Sequence, residues 1–471
     1  MISLDLKKGD EFELNIESLA FGGKGVGHFN NYVIFIKGGI PGQRLLVRLT
    51  NRRDKYGEGK ILSVINDSQH SVNAPCKHFP TCGGCSFQHL AYKSQIDEKR
   101  KQVIDIFRRI GNIENPNIQT IIPADEIYHY RNKMEFSFSN RRWILENEMG
   151  SFNNNDEFAL GLHIPKRFDK ILDIDLCDIQ KPIGNKILKI VRDVAKKNGL
   201  DPYDIKKHSG FLRNLIIRVG ERTNEVMVNI VTSREDKNKL IPIIDRIKEV
   251  DPSISSIVNN INRRKSGVSY GEWEILLYGK PTITDCIGDF KFEISANSFF
   301  QTNTSQAENL YKVAKDFIGF KGNEILYDFY CGTGSTSIFM ANNVKKVYGF
   351  EAVHSAIEDA ERNAVSNSVT NCHFFESNLD KFFRESSILS EIELPDIVLI
   401  DPPRPGMHPK FVKDLIKMDP KKILYISCNP TTQARDITLL INKEFSLVKL
   451  GMVDMFPHTP HIETICLLEK N

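Results

Sequence analysis

The last third of the chain alternates short apolar runs with helical stretches, and this pattern constrains the fold more than any other feature. Strands that alternate with amphipathic helices build a parallel sheet that is covered on both faces. The sequence therefore predicts an α/β domain over residues 291–471. The strand-like runs are 324–330, 346–351, 372–375, 396–401 and 422–428, and the helical ones are 335–342, 352–367, 408–418 and 431–441.

The chain closes with two more apolar runs, 445–456 and 463–468, joined by the turn Pro457-His458-Thr459-Pro460. So short a connection predicts an antiparallel final pair.

The front of the chain does not show this alternation of strands and helices. Short β-type runs broken by Gly-rich turns predict a small barrel over residues 1–65. Residues 66–117 hold a cysteine cluster and a helical stretch at 90–110, and residues 118–290 predict a mixed α+β domain.

Composition excludes several classes of protein. The 471 residues suffice for about three domains, and 41% hydrophobic with 26% charged residues is typical of globular chains. The net charge is only +3, so attraction to polyanions must come from local patches. Between Lys37 and Lys60, seven Lys or Arg face two acids; this patch suits a phosphate backbone, and a solvated loop explains it equally well.

No apolar run approaches the roughly 20 residues that a membrane span needs. The start of the chain, residues 1–8, also lacks the apolar centre of a signal peptide. We therefore expect a cytoplasmic protein with no membrane association, and nothing in the sequence calls for an obligate protein partner.

The first strand of the α/β domain leads into Asp328-Phe329-Tyr330-Cys331-Gly332-Thr333-Gly334-Ser335 and then a helix. The glycines let the backbone approach a ligand, and the helix N-terminus offers free N–H groups. Glu351 ends the second strand 19 residues after Gly332, where an acid accepts hydrogen bonds from ribose hydroxyls. A dinucleotide fingerprint needs Gly or Ala where Ser337 stands. These features favour S-adenosylmethionine over NAD, and a plain strand–turn–helix is the alternative.

Three reactive side chains follow or begin strands at one predicted edge of the sheet. Asp401 starts the run Asp401-Pro402-Pro403-Arg404 after the fourth strand, where open α/β sheets bind ligands. Cys428 follows the fifth strand. A lone cysteine is usually structural, but a thiol at a strand end above a cofactor site is a candidate nucleophile. Glu463 lies between the closing strands and is a candidate base.

Three cysteines crowd into the run Cys76-x5-Cys82-Gly83-Gly84-Cys85, and Cys177 is the best candidate for a fourth ligand. The chain has nine cysteines and no secretory signal, which argues against a disulfide framework and for metal ligation. Four thiolates suit structural zinc or an iron–sulfur cluster, and spacing alone does not separate the two. Free reduced thiols are the less favoured alternative.

Four separated motifs together resemble the RNA uracil-5-methyltransferases. They are Asn297-Ser298-Phe299-Phe300-Gln301-Thr302-Asn303, Asp401-Pro402-Pro403-Arg404, Ser427-Cys428-Asn429-Pro430 and His461-Ile462-Glu463-Thr464. The resemblance implies a Rossmann-like class I methyltransferase domain that uses S-adenosylmethionine, with Cys428 as nucleophile and Glu463 as base. It also implies cofactor contacts from Gln301, Tyr330, Glu351 and Asp401, with weaker carry-overs at Ser335 and Asn378. The match is good over the last 175 residues and loose over the central domain.

The front segment resembles a TRAM domain, an OB-like RNA-binding barrel, in its Gly22-Gly23-x-Gly25-x-Gly27 and Pro41-Gly42 turns. Aromatic side chains of such barrels stack on bases or else form the core; here they are Phe21, Phe29, Tyr32 and Tyr56. Ribosomal-RNA members of the family carry the same cysteine pattern around an iron–sulfur cluster. The resemblance thus favours a 4Fe–4S cluster over zinc, held by Cys76, Cys82, Cys85 and Cys177.

The resemblance predicts methylation of carbon 5 of a uridine in 23S ribosomal RNA, a step of rRNA processing that yields 5-methyluridine. TRAM domain and cluster together go with large-subunit rRNA, whereas tRNA enzymes typically lack both, so a tRNA uracil-5-methyltransferase is the alternative. A non-catalytic RNA-binding or ribosome assembly factor is a third reading, which intact Cys428, Glu463 and Asp401 oppose. Methylation of an amino group is a fourth, although an aromatic residue then usually follows the two prolines, where Arg404 stands.

Overall fold

The amino-terminal strands form a half-barrel. The computed structural model describes residues 6–148, 157–165, 167–265, 269–379, 387–441 and 444–471, so the first five residues of the predicted chain start lie outside it. The strands, numbered in chain order throughout, are β1 (Glu11–Asn15), β2 (Ser18–Leu19), β3 (Lys24–Phe29), β4 (Tyr32–Lys37), β5 (Arg44–Arg52) and β6 (Tyr56–Asn66). They lie in the order β1-β5-β6-β4-β3-β2. Because β1 and β2 are the two edges of this sheet, the predicted barrel is open on one side.

The aromatic residues of the half-barrel divide into two groups. Phe21 and Tyr56 are 41% and 40% exposed, whereas Tyr32 is buried in the apolar core and Phe29 packs against it. Of the four, Phe21 and Tyr56 are therefore the ones placed to stack on a base.

The basic patch between Lys37 and Lys60 carries less unpaired positive charge than its sequence suggests, because Arg44 and Arg48 of β5 pair with Glu13 and Glu11 of β1.

The central part of the chain is a seven-stranded sheet with the order β10-β9-β8-β11-β12-β13-β14. Within it, β12 and β13 pair in parallel and the other neighbours pair antiparallel. Helices α2 (Pro182–Lys197) and α3 (Lys237–Lys248) pack on each other and share one apolar core with the sheet. The strands are β8 (Lys133–Ser139), β9 (Ala159–Ile164), β10 (Arg167–Asp173), β11 (Leu212–Val219), β12 (Val226–Thr232), β13 (Ile254–Ile261) and β14 (Trp273–Gly279), followed by the hairpin β15 (Thr282–Ile287) and β16 (Phe290–Ser295).

The carboxyl-terminal part is built on an eight-stranded sheet with the order β19-β18-β17-β20-β21-β23-β22-β7. The first five strands in this order are parallel, and β23 runs antiparallel to both β21 and β22. The predicted α/β class and the predicted antiparallel final pair are confirmed. The strands are β7 (Thr120–Ile122), β17 (Ile325–Phe329), β18 (Lys346–Glu351), β19 (Cys372–Glu376), β20 (Ile397–Ile400), β21 (Lys422–Ser427), β22 (Phe445–Val453) and β23 (Glu463–Lys470).

Helices cover both faces of this sheet, because its strands are apolar on both sides. Leu326 and Leu399 pack against one layer of helices, whereas Tyr327 and Ile400 pack against the other. The first layer contains α4 (Thr304–Ile318), α5 (Ser335–Ala341) and α6 (His354–Ser366), and the second contains α1 (Tyr92–Arg109), α7 (Pro409–Lys417) and α8 (Pro430–Ile441). None of the helices in the described ranges combines the length and apolar character of a bilayer-crossing segment.

Two elements from the front of the chain join this carboxyl-terminal domain. Val103 and Phe107 of α1 belong to the same buried cluster as β21 and β23, so the predicted connecting module packs on the domain rather than only leading to it. Strand β7 pairs in parallel with β22 at the edge of the sheet. The polar face of α1 is thereby brought close to the loop between β22 and β23.

Candidate active site

The strand ends that carry the predicted reactive residues meet at one edge of the eight-stranded sheet. Strands β17 and β20 are neighbours without being consecutive, so the strand order reverses between them, and open α/β sheets bind ligands at such a point. Asp401 follows β20 and Cys428 follows β21. Because β23 runs the opposite way, its first residue, Glu463, lies at the same edge. Ser427 pairs with Thr464, which puts Cys428 and Glu463 next to each other in register.

The loop after β17 has the backbone of a ligand-binding turn. Tyr330, Gly332 and Gly334 all have positive φ, at 66°, 53° and 75°. A Cβ on Gly334 would lie 2.9 Å from the side chains of Ala360 and Phe374, so only glycine fits there, whereas Gly332 faces open space. The loop thus leaves room beside Gly332 for a ligand to approach the backbone.

Glu351 ties this loop to the next strand end. Its carboxylate accepts hydrogen bonds from the backbone N–H groups of Gly332 (3.2 Å), Ala352 (2.7 Å) and Val353 (3.0 Å). A cavity of about 470 Å³ lies beside it, a volume within the usual range for small-ligand sites. Residues that line the cavity include Tyr330, Ala352, Asn378, Pro403 and Met407.

Ser337 explains why the dinucleotide fingerprint is broken. Its hydroxyl donates a 2.6 Å hydrogen bond to the Asp328 carboxylate in the middle of the domain. Burial is the main reason that the pKa of Asp328 is raised to about 7; the bond from Ser337 acts against this rise, and the charges of Asp401 and Glu351 add to it. A glycine at this position would leave the buried carboxyl without that donor.

The segment that carries Gln301 is fastened to its surroundings by its backbone. Asn132 donates through Nδ2 to the Gln301 carbonyl at 2.9 Å and through its backbone N–H to the Thr302 carbonyl at 2.9 Å. Asn303 caps helix α4 by accepting from the Gln306 N–H. Thr333 of the glycine loop donates to the Phe299 carbonyl at 3.3 Å. Asn132, which the sequence did not single out, therefore helps to fix this segment beside the loop.

The sequence analysis assigned Arg404 no role of its own, but in the structure its side chain acts on the candidate nucleophile. Its guanidinium lies close enough to Cys428 to lower the pKa of that thiol. Its backbone carbonyl is held by Asn429 Nδ2 at 3.0 Å and Thr432 Oγ1 at 3.2 Å. A cation in this contact stabilises a thiolate relative to a thiol. The only hint of this contact in the sequence is that a guanidinium follows the two prolines.

Buried acids and a thiol perturb one another at this edge. Burial and, after it, the charges of Glu463 and Asp401 together raise the pKa of Cys428 to about 11, although Arg404 lowers it. Burial also raises the pKa of Asp401 to about 7. The pKa of Glu463 lies well above its ordinary value, through burial first and then the Asp401 charge, against which Arg404 acts. Groups shifted in this way, side by side at a ligand-binding edge, are typical of a catalytic site.

Replacing Arg404 with methionine is expected to raise the pKa of the Cys428 thiol, because the variant loses a cation that favours its thiolate. The rate of alkylation by iodoacetamide follows the fraction of the thiol that is ionised. In the variant, the rate at Cys428 should therefore begin to rise at a higher pH than in the wild type. If the pKa of the thiol rises by about one, alkylation at a fixed pH slows about tenfold. Mass spectrometry resolves Cys428 from the other cysteines, and Arg404→Lys, which keeps the charge, is the control. An unchanged pH profile in the methionine variant would remove Arg404 from this role.

The structure brings the four predicted metal-ligating cysteines together. Cys76, Cys82, Cys85 and Cys177 all line one cavity of about 290 Å³ and remain free thiols. Burial raises the pKa of each, and the charge of Cys76 raises those of the other three. Over the described ranges of the chain, however, no group of three or more His, Cys, Asp or Glu side chains is placed to hold a metal ion. The predicted cluster or zinc site is therefore not shown.

Comparison with known proteins agrees with this architecture. Residues 283–471 match the tRNA (uracil-5-)-methyltransferase family and residues 5–62 match the TRAM domain. An uncharacterized RNA methyltransferase of Chlorobaculum tepidum is 39% identical over 98% of this chain and 97% of its own, and one of Halalkalibacterium halodurans is 36% identical over 98% of each chain. The crystal structure of the Pyrococcus abyssi tRNA (uracil-54, C5)-methyltransferase with S-adenosyl-L-homocysteine superposes with a TM-score of 0.75, at 30% identity, over 97% of this chain and 100% of that one.

The fold and the cleft define a class I methyltransferase that uses S-adenosylmethionine and acts on RNA. Within that class, the chain belongs to the family of RNA uracil-5-methyltransferases and carries an amino-terminal TRAM domain.

Proposed function

We propose that this protein methylates carbon 5 of a uridine in 23S ribosomal RNA through a covalent bond between Cys428 and carbon 6 of the uracil. The observation that carries the proposal is the meeting of a thiol, two acids and a guanidinium at one sheet edge beside the nucleotide cleft. Carbon 5 of uracil is a poor nucleophile, and a methyltransferase of this family must activate it before the methyl group can move.

Cys428 supplies that activation. Its thiolate adds to carbon 6, and the electron pair of the double bond makes carbon 5 an enolate carbon that attacks the methyl group of the sulfonium. Arg404 favours the thiolate in this step. Glu463 then takes the proton from carbon 5, the C–H electrons restore the double bond, and the carbon–sulfur bond breaks with its pair returning to Cys428.

The remaining residues hold the two substrates. We propose Gln301, Tyr330, Glu351 and Asp401 as contacts of S-adenosylmethionine, on the support that Tyr330 lines the cavity of about 470 Å³ and that Glu351 accepts a hydrogen bond from Gly332 of the glycine loop. Asp401 is buried beside the candidate nucleophile and base, so it is also suited to orient the uracil. Because both reacting carbons must be reached, the uracil has to be unstacked from its neighbours. A loop or remodelled single strand is the proposed target.

The identity of the RNA has a second candidate. The half-barrel and the cysteines favour ribosomal RNA, since these additions go with that substrate in the family. The superposition with an archaeal tRNA uracil-54 enzyme spans 97% of this chain, which favours transfer RNA instead. We keep ribosomal RNA as the proposal and transfer RNA as the alternative. Methylation of either RNA would take place in the cytoplasm. We also propose that the central residues 118–290 form part of the surface that contacts the RNA.

We also propose a 4Fe–4S cluster on the four cysteines, with zinc as the alternative. A zinc ion with Zn–S bonds of about 2.3 Å needs sulfurs about 3.8 Å apart, a compact arrangement. A cluster spreads its thiolates over four iron atoms; what supports it here is that the four thiols line one cavity and that their spacing resembles that of the family's ribosomal-RNA members. The cluster would have a structural role, because methyl transfer moves no electrons through it. Iron and acid-labile sulfide in anaerobically purified protein test this assignment.

Tritium release tests the reaction and the substrate together. RNA labelled with tritium at uracil carbon 5 loses the label only if the proton at that carbon is replaced. Release from large-subunit rRNA that depends on S-adenosylmethionine supports the proposal, and release from tRNA alone supports the alternative. Methyl transfer to RNA without tritium release would contradict methylation at carbon 5.

A further inference from the structure

The loop that leads to Glu463 is held partly by segments that lie far from it in the sequence. This base loop (residues 454–462) joins β22 to β23, and Glu463 is the residue that follows it. Asn303 and Gln306 of its own domain donate to it, and further contacts come from helix α1 and from the cysteine segment (residues 76–89), two parts of the chain more than 350 positions away.

His458 is the residue that both partners grip. Its carbonyl accepts hydrogen bonds from the backbone N–H groups of Ser86 at 2.8 Å and Phe87 at 3.0 Å. Its N–H donates to Gln95 Oε1 at 3.0 Å, and its Nδ1 accepts from Gln95 Nε2 at 3.1 Å. Tyr128 stacks on the ring at 4.4 Å. His458 is only 2% exposed and has a φ of 64°, so these bonds hold a backbone conformation that few residues adopt.

The start of the loop is fixed in the same way. Lys99 of α1 forms a fully buried ion pair with Asp454 at 2.6 Å, and Tyr92 donates to the other carboxylate oxygen at 2.8 Å. A buried pair of this kind is costly to form but strongly destabilising to break, so it fixes one arrangement of the two elements. Helix α1 therefore holds the base loop at Asp454 and again at His458, five residues before Glu463.

The cysteine segment cannot hold its shape by secondary structure. All of its residues are described, and they form turns and bends but no helix or strand. A link between its cysteines and Cys177, which all line one cavity, would add to the hydrogen bonds that hold the segment, such as the one from the Cys76 N–H to Gln88 Oε1. Thr459 and His461 of the base loop line the same cavity. The amides of Ser86 and Phe87, which directly follow Cys85, are then presented to His458 by the cysteine site.

We propose that the cysteine segment and Gln95 form a clamp on His458 that positions Glu463 for removal of the proton from carbon 5. The inference rests on the proposed function. The cysteine site would thus act on catalysis through placement of the base, and Gln95 and His458 are positioning residues. A loosened clamp should leave thiolate addition and methyl transfer intact and slow only the last step, in which Glu463 takes the proton and the carbon–sulfur bond breaks.

Such a defect has its own signature, because methylated RNA then stays covalently attached to Cys428. We would incubate each variant with RNA and methyl-labelled S-adenosylmethionine and measure the labelled complex that survives a denaturing gel. Gln95→Met removes the bonds to His458, together with those that Gln95 Nε2 donates to the Phe87 and Leu90 carbonyls, without changing side-chain length. Gln102→Met is the matched control, the same substitution at another buried position of α1.

For Gln95→Met we expect kcat to fall by about 10- to 100-fold, as misplaced catalytic groups do, with an unchanged KM for RNA and a marked rise in the attached complex. Gln102→Met should match the wild type. Slow turnover without attached complex, or a rise in KM alone, would overturn the proposal. If Gln95→Met does not fold, His458→Asn takes its place, because asparagine tolerates positive φ but lacks the imidazole acceptor.

Two further variants distinguish a failure of the clamp from a failure of the proposed function. Glu463→Gln should trap the complex whether or not the clamp exists. Trapping there but not in Gln95→Met contradicts the clamp alone, and trapping in neither contradicts the proposed function. Cys85→Ser tests the cysteine segment by the same gel: the attached complex is expected to accumulate, and its absence in a folded variant would assign the positioning to α1 and overturn the role of the segment.

Discussion

Replacing Cys428 with serine is expected to abolish methyl transfer to RNA, with a loss of at least about 1000-fold in kcat, equal to about 4 kcal/mol in the barrier. A serine hydroxyl stays protonated at neutral pH and cannot replace the thiolate that adds to carbon 6. Arg404, which favours the thiolate, has no comparable anion to stabilise in the variant. The measurement is transfer of labelled methyl groups from S-adenosylmethionine to RNA, with binding of both substrates followed separately.

Binding should survive this substitution, because serine is close to cysteine in size and the cofactor cavity lies beside other residues. Cys286→Ser is the matched control: its thiol is half-buried on β15, away from the sheet edge, and its loss should leave transfer intact. A Cys428→Ser enzyme that still methylates RNA would contradict the covalent mechanism. Wild-type protein that binds RNA and S-adenosylmethionine but transfers nothing would favour the assembly-factor alternative.

The carboxyl-terminal sheet could be predicted closely from the sequence, because its strands are buried on both faces and read as continuous apolar runs. The predicted run 346–351 coincides with β18, and the run 422–428 differs from β21 by one residue. The same regularity predicted that Asp401 and Cys428 would meet at one edge. The end of a strand can be recognised from local sequence, and the carboxyl ends of parallel strands lie at the same edge of a sheet, so no knowledge of distant contacts is needed to place these residues together.

The elements that the sequence missed depend on contacts between distant parts of the chain. Residues 21–25 of the sequence suggest a Gly-rich turn, but β3 begins at Lys24. Gly25 and Gly27 are strand residues at which a Cβ would lie 2.6 Å and 2.3 Å from a carbonyl oxygen of the half-barrel, so only glycine fits there. Strand β7 has only three residues and gains its place by pairing with β22. Local periodicity carries no signal for either pairing.

The same limit applied to the site. Arg404 follows two prolines in the sequence, and nothing local indicates that its side chain turns back to Cys428. Helix α1 was visible from its apolar spacing, but not that Lys99 and Gln95 on its polar face contact the base loop. Both findings concern charged or amide groups whose partners lie far along the chain. The reacting groups could be identified from residue types in the sequence. The residues that shift the pKa of these groups or hold them in position could be identified only from the fold.

Replacing Glu463 with glutamine is expected to stop turnover, by about 100- to 10,000-fold as for loss of a catalytic base, while trapping methylated RNA on Cys428. Glutamine has nearly the size of glutamate, so the buried site can keep its shape. The Glu463 charge raises the pKa of Cys428. Its removal therefore eases formation of the thiolate, and the first step proceeds while proton removal fails. A denaturing gel with methyl-labelled S-adenosylmethionine measures the trapped complex, and tritium release from carbon 5 should cease.

The control for this prediction lies on the same strand. Glu469 of β23 is a partly exposed acid that pairs with Lys422 at 3.2 Å, so Glu469→Gln removes one carboxylate from the strand but leaves the sheet edge intact. It should turn over at the wild-type rate and trap nothing. Continued tritium release in Glu463→Gln would mean that another group takes the proton. Asp401 would then be the candidate, since it is the other buried acid beside Cys428 and burial raises its pKa to about 7, within reach of a base at neutral pH.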